Sequence, residues 1–142
     1  MNVHLTRRYL FSASHRLHSG ELSEAENQAT YGKCNNPHGH GHNYTLEVTV
    51  SGQVNPKTGM VCDLIELDHA VQREVLERFD HENLNAHQEF AAIVPTTENL
   101  CRAVFRLLKA RLHPRELEYV RVEETENNFF QCFDAGPQAA IA

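Results

Sequence analysis

His40 and His42, in the run Gly39-His40-Gly41-His42, stand two residues apart at the start of an alternating segment. On a strand, residues i and i+2 share a face, so both imidazoles can converge on one point. That face is also the face of Tyr44, Leu46 and Val48. His15 lies on the odd-numbered apolar face of an earlier alternating segment. If the two segments pair as a hairpin across the loop between them, three histidines meet at one end of a sheet. Three imidazoles with a vacant fourth position describe a catalytic zinc site. The plainer alternative is a glycine-rich flexible loop with incidental histidines, and His-x-His alone does not separate the two. The strand phase and the third histidine favour the metal.

Three other groups bring candidate chemistry. Cys34 lies six residues before His40, next to Lys33. A cation and a nearby metal both favour the thiolate, the reactive form of cysteine. A buried small side chain, or a fourth ligand closing a structural Cys-His₃ site, are its other readings. Asp80-His81 places a carboxylate beside an imidazole, a pairing that can set the tautomer and support proton transfer. By itself the pair is weak, since polar residues after a helix are usually solvated. Glu124 continues the face of Val120 and Val122, and a carboxylate at the edge of an apolar face needs a partner or a ligand. Paired N–H donors of a heterocycle suit such an acceptor; a strand-end carboxylate reaching water is the even alternative.

The elements that must position these groups follow from periodicity. Odd positions from Val3 to Ala13 are mostly apolar and predict a strand. Residues 17–38 contain Gly20, Gly32 and Pro37 among polar residues and predict a long loop of the kind that is often functional. His42 to Val50 predicts a second strand, turned by Asn55-Pro56-Lys57-Thr58-Gly59. Asp63 and Glu66 resemble a capping box ahead of a helix with Leu64, Leu67, Val71, Val75 and Phe79 on one face. A second helix is expected to begin at Thr96 or Thr97, to bury Leu100, Val104, Leu107 and Leu108, and to stop before Pro114. Two more strands are expected, from Glu118 to Glu124 and from Phe129 to Phe133. The order β-β-α-α-β-β predicts an α+β domain with an antiparallel sheet and two helices on one face.

A chain of 142 residues fits one domain, expected to span 1–142. The formal charge is −6 and basic residues are scattered, which argues against a nucleic-acid surface. No apolar run is long enough to span a bilayer, so no membrane partner is expected. The start Met1-Asn2-Val3-His4 lacks the basic-then-apolar pattern of an export signal, and a cytoplasmic protein is expected. In that setting Cys34, Cys62, Cys101 and Cys132 read as thiols, with all but Cys34 in packing roles.

Six segments occur in order: Phe11-Ser12-Ala13-Ser14-His15-Arg16-Leu17, Gly32-Lys33-Cys34-Asn35-Asn36-Pro37, Gly39-His40-Gly41-His42-Asn43-Tyr44, Asp80-His81 with Asn83-Leu84, Thr96-Thr97-Glu98-Asn99 and Glu124-Thr125-Glu126-Asn127-Asn128. Together they resemble the 6-pyruvoyl-tetrahydropterin synthase family, over nearly the whole chain from about Leu5 to Phe133. That family also holds the 6-carboxy-tetrahydropterin synthases of queuosine biosynthesis, which use the same substrate. The resemblance implies a zinc lyase acting on 7,8-dihydroneopterin triphosphate, in the tetrahydrobiopterin pathway. It implies a tunnelling fold (T-fold) whose subunit sheets join into a barrel, as a homohexamer of two stacked trimers. By matching position, His15, His40 and His42 would hold Zn²⁺ and Cys34 would abstract the proton. Asp80 and His81 would form its relay from a neighbouring subunit, Glu124 would anchor the pterin, and Thr96 and Thr97 would help hold the ring. The five residues between Cys34 and His40 resemble the pyruvoyl-forming members, whereas His38 replaces an asparagine typical of the animal enzymes. A different class remains beside these: a non-catalytic protein stabilised by zinc, with Cys34 closing the site.

Overall fold

The computed structural model describes residues 1–113 and 116–134. Two long strands dominate it, β1 (Val3–His15) and β2 (His40–Gly52). They pair antiparallel in a register that sets His15 opposite His40, Ala13 opposite His42 and Phe11 opposite Tyr44. β4 (Leu117–Thr125) pairs antiparallel with β2, and β5 (Asn128–Phe133) with β4. These are the four expected strands. A fifth, β3 (Glu82–Asn83), runs parallel to β1, so the sheet is mixed and reads β3-β1-β2-β4-β5. It remains open, with β3 and β5 at its edges.

One face of the sheet is apolar because alternate residues of each strand are: Phe11 and Ala13, then Tyr44, Leu46, Val48 and Val50, then Val120 and Val122, all buried. Two helical segments cover it. α4 (Thr97–Arg111) is capped by Thr96, whose hydroxyl accepts from the Asn99 N–H, and buries Leu100, Val104 and Leu108; Leu107 is only partly covered. The residue it was expected to stop before, Pro114, lies outside the described residues. α2 (Leu64–Val71) is capped by Asp63, which accepts from Ile65 and Glu66. It continues through a π turn over Gln72–Leu76 into α3 (Glu77–Phe79). The π turn has a packing cause. Leu67, Val71, Val75 and Phe79 recur every four residues, and on a 3.6-residue helix that stripe drifts by roughly 40° per step. Underwinding through the π turn returns Val75 and Phe79 to the core, where neither is exposed. Each such fully buried side chain contributes about 1.5–3 kcal/mol.

The connection between β1 and β2 departs from the expected loop. It contains α1 (Glu24–Tyr31) and a 3₁₀ turn, Gly32–Asn35. A reciprocal Ser23–Glu26 capping box starts α1. Buried Asn27 anchors it by accepting from Ser19 N and donating to the carbonyls of Ser19, Leu22 and Ser23.

Candidate metal centre and active site

β1 ends where β2 begins, and the sheet register brings three imidazoles together there. The His15–His40, His15–His42 and His40–His42 ring centroids lie 4.8, 5.2 and 4.8 Å apart, with the rings nearly perpendicular. One ligating nitrogen from each lies within 4.8 Å of the others. His15 Nε2 is 3.1 Å from His40 Nε2.

The second ring nitrogen of His15 explains which one faces the centre. Its Nδ1 lies 2.8 Å from the Pro95 carbonyl, to which it can only donate. That assigns the proton to Nδ1 and leaves Nε2 with a free lone pair, as metal-binding histidines are commonly arranged. His42 Nε2 is buried and has no hydrogen-bond partner. Burial pushes both His15 and His42 below the ordinary imidazole value, which favours the neutral, ligating form. The residues present therefore fit a zinc ion by donor type, number and protonation.

Gly39 makes the close approach possible. Its φ is +69°, and a Cβ built there would meet the His15 carbonyl oxygen at 2.8 Å. Only glycine fits between the two strand ends without moving one of them.

Glu124, near the end of β4, reaches the same cluster. Its Oε1 is 3.5 Å from His42 Nε2 and 3.8 Å from His15 Nε2. Thr97 Oγ1 donates to Oε1 at 2.5 Å and Asn128 Nδ2 donates to Oε2 at 2.9 Å. Burial works to raise this carboxyl, but the Thr97 and Asn128 donors, with His42 and His15 nearby, hold it below its ordinary value. The adjacent threonines divide their work: Thr96 caps α4, and buried Thr97 fixes Glu124.

Cys34 sits half-buried in the 3₁₀ turn, its carbonyl accepting from Leu17 N at 2.8 Å. Among the described residues its thiol is not part of the converging donor group, which consists of the three histidines. Cys62, Cys101 and Cys132 are also free thiols, and burial pushes Cys101 up to about 12.

Asp80 and His81 hook onto the outer edge of β1. Asp80 Oδ1 accepts from Ser12 N at 2.9 Å, and His81 N donates to Ser12 O at 2.6 Å. Binding both backbone groups of Ser12 leaves His81 at φ 61°, an uncommon conformation for a non-glycine residue and one that functional sites retain. His81 Nδ1 is 3.0 Å from Asp80 Oδ1, and its ring is 82% exposed. The Ser12 N–H, followed by His81, holds Asp80 below the ordinary carboxylate range. Among the described residues no hydrogen bond or ion pair joins this pair to Cys34, and the His81 ring is open to solvent. His42 and His81 both line a recess of about 480 Å³ that includes Ser14 and Asn43. A larger cavity, about 920 Å³, lies at the far end of the sheet around Val50, Cys62 and Glu116, away from the imidazoles.

Pro95, Asn128 and Asn35 complete the site without having been foreseen. Asn35 and Asn128 left a trace only as members of the quoted segments that hold Cys34 and Glu124, and Pro95 left none.

The chain is similar to known proteins over most of its length. The family profile described as 6-pyruvoyl tetrahydropterin synthase matches residues 4–134. A Drosophila melanogaster protein named 6-pyruvoyl tetrahydrobiopterin synthase is 49% identical over 126 residues, 87% of this chain and 75% of its own. The Homo sapiens protein of that name is 46% identical over 125 residues, 87% of this chain and 86% of its own. The solved structure of Caenorhabditis elegans 6-pyruvoyl tetrahydropterin synthase superposes with a TM-score of 0.91 at 43% identity, covering 95% of this chain and 97% of that one.

Proposed function

Given that the chain belongs to the 6-pyruvoyl tetrahydropterin synthase family, we propose that it is a zinc-dependent lyase converting 7,8-dihydroneopterin triphosphate to 6-pyruvoyl-tetrahydropterin with loss of triphosphate. The observation that carries this is the convergence of three imidazoles beside a buried, donor-held carboxylate. His15, His40 and His42 would hold the metal. Zinc bound there supplies Lewis acidity toward substrate oxygens, which acidifies the neighbouring C–H bonds.

The rest falls to the chain itself. Glu124 has one lone-pair direction on each oxygen left after Thr97 and Asn128 are served, and these accept the amino and ring N–H donors of the pterin. Thr97, with Thr96 anchoring the helix start, keeps that carboxylate aimed. Cys34 acts as the base that takes a proton from the substrate side chain. Because the Asp80–His81 pair faces outward, it serves the thiol of a neighbouring subunit. Sheets left open at β3 and β5 join into the barrel of a homohexamer, two stacked trimers with shared sites, in the cytoplasm. That the Cys34 thiol stands outside the donor group supports an open metal position over a closed Cys-His₃ structural site.

His38, exposed two residues before His40, is the departure that keeps a second product reading beside the first: 6-carboxy-5,6,7,8-tetrahydropterin of queuosine biosynthesis, from the same substrate with release of acetaldehyde and triphosphate. Mass spectrometry of the zinc-loaded protein with dihydroneopterin triphosphate decides. A pyruvoyl product with triphosphate is expected; a carboxy product with acetaldehyde selects the second reading, and unreacted substrate defeats both. His40→Ala should lose the metal by elemental analysis, because two imidazoles hold zinc poorly.

A further inference from the structure

The residue after Cys34 is an asparagine that is only 5% exposed, and its side-chain amide and backbone carbonyl are bonded to the segment leaving His15. Asn35 Nδ2 donates to the Leu17 carbonyl at 2.8 Å and to His18 Nδ1 at 3.0 Å, so both amide protons are engaged. The Asn35 carbonyl accepts from Arg16 Nε at 3.1 Å. The Leu17 N–H in turn donates to the Cys34 carbonyl. Four hydrogen bonds thus lace residues 34–35 to residues 16–18. From the other side, Asn85 holds Arg16 as a strand partner would: its Oδ1 accepts from Arg16 N at 2.7 Å and its Nδ2 donates to Arg16 O at 2.9 Å. The segments bearing His15, Cys34 and Asp80–His81 are therefore tied at one point.

We infer that Asn35 is a positioning residue that fixes the Cys34 thiol relative to His15 and the metal centre. A 3₁₀ turn reached from the polar helix α1 has little apolar burial to hold it. A base must nevertheless stay within hydrogen-bond reach of the proton it removes. The buried amide supplies that constraint through the Leu17 carbonyl and the His18 ring nitrogen, and the Asn35 backbone carbonyl adds the bond from Arg16. Its catalytic significance rests on the proposed role of Cys34.

Asn35→Asp keeps the size while replacing both donors with an acceptor facing the Leu17 carbonyl; Asn35→Ala removes the two side-chain contacts and leaves the two bonds to the backbone carbonyls of residues 34 and 35. Iodoacetamide labelling followed by peptide mass mapping reads the thiol without any turnover. Cys34 should label several-fold faster in both variants, with Cys62 and Cys132 unchanged as internal references, and zinc content should stay native. In turnover, kcat should fall about 10²-fold with KM little altered, since a displacement near 1 Å has that effect. A native Cys34 labelling rate in a folded variant overturns the inference, whatever the activity. Failure of both variants to fold overturns it too, making the network a folding requirement. Fast labelling with retained zinc, in a protein whose wild type leaves the pterin unreacted, upholds the positioning while the functional reading falls.

Discussion

Replacing Gly39 by alanine tests whether the metal centre depends on how closely two strand ends approach. The substitution carries two separable costs. A non-glycine residue at φ +69° loses about 1–2 kcal/mol from left-handed backbone sterics. The new Cβ would also lie 2.8 Å from the His15 carbonyl oxygen. That oxygen belongs to a paired strand and cannot rotate aside, so an overpacking cost of about 1–3 kcal/mol is added. The sum is about 2–5 kcal/mol. Gly59 provides the control, since its φ is +72° and nothing lies within 4 Å of its Cβ. Gly59→Ala should carry only the backbone cost, about 1–2 kcal/mol. Urea denaturation of both variants measures the difference, and at about 3 °C per kcal/mol the melts should separate clearly. Relief of the clash means parting His15 from His40, whose Nε2 atoms are 3.1 Å apart. If about 1.4 kcal/mol of that strain reaches the imidazoles, zinc affinity drops about tenfold, while Gly59→Ala binds zinc as wild type does. Equal destabilisation by the two variants, or native zinc affinity in Gly39→Ala, would refute the reasoning.

Glu124→Gln can keep its fold, because Thr97 Oγ1 can accept from the new amide while Asn128 still donates to the remaining oxygen. It should nevertheless weaken pterin binding about 10–100-fold, the range of one charge-assisted hydrogen bond, with zinc content unchanged; unaltered pterin affinity by calorimetry removes Glu124 from the site. Cys34→Ala and His81→Ala, each inactive alone, should regain activity when dissociated and mixed, in about one quarter of sites for random pairing; verified mixed oligomers without recovery would show that the pair serves no neighbouring thiol. Asp68 on α2 accepts from Arg7 Nε, Arg7 Nη2 and Tyr9 Oη, each at 2.7 Å, and those donors, Arg7 foremost, hold its carboxyl below the ordinary range. Its contribution is therefore complete above about pH 4, the unfolded value, and disappears as falling pH titrates it in the folded protein. Asp68→Asn should lower the urea midpoint at pH 7 and approach the wild type in stronger acid; a gap independent of pH would count against the ion pair.

What the sequence made legible was whatever follows a period. His15, His40 and His42 were placed on one face by an alternation of two, and pairing of their strands brought them together. Glu124 was readable because it continues the face of Val120 and Val122. The parts that escaped are held by polar contacts between backbones distant in sequence. α1 has no apolar stripe; Asn27, a polar residue, is what anchors it. β3 exists because Asp80 and His81 bind the edge of β1 at Ser12, an arrangement no local pattern reports. Asn35, Asn85 and Pro95 act through carbonyls or amides across loops, where residue type says little about the partner. The π turn reads as regular helix in the sequence, although the four-residue repeat from Leu67 to Phe79 fits a 3.6-residue period poorly.

The order in which the site's residues occur along the chain has a consequence for synthesis. His15, His40 and His42 all precede the first long helix, whereas Glu124 and Asn128 belong to the final hairpin. On a ribosome the N-terminal hairpin emerges first, so the imidazole cluster can assemble while the carboxylate that borders it has yet to be translated. For that interval the nascent chain presents the histidines without their acidic neighbour or the covering helix α4, and they are more open than they will ever be in the finished protein.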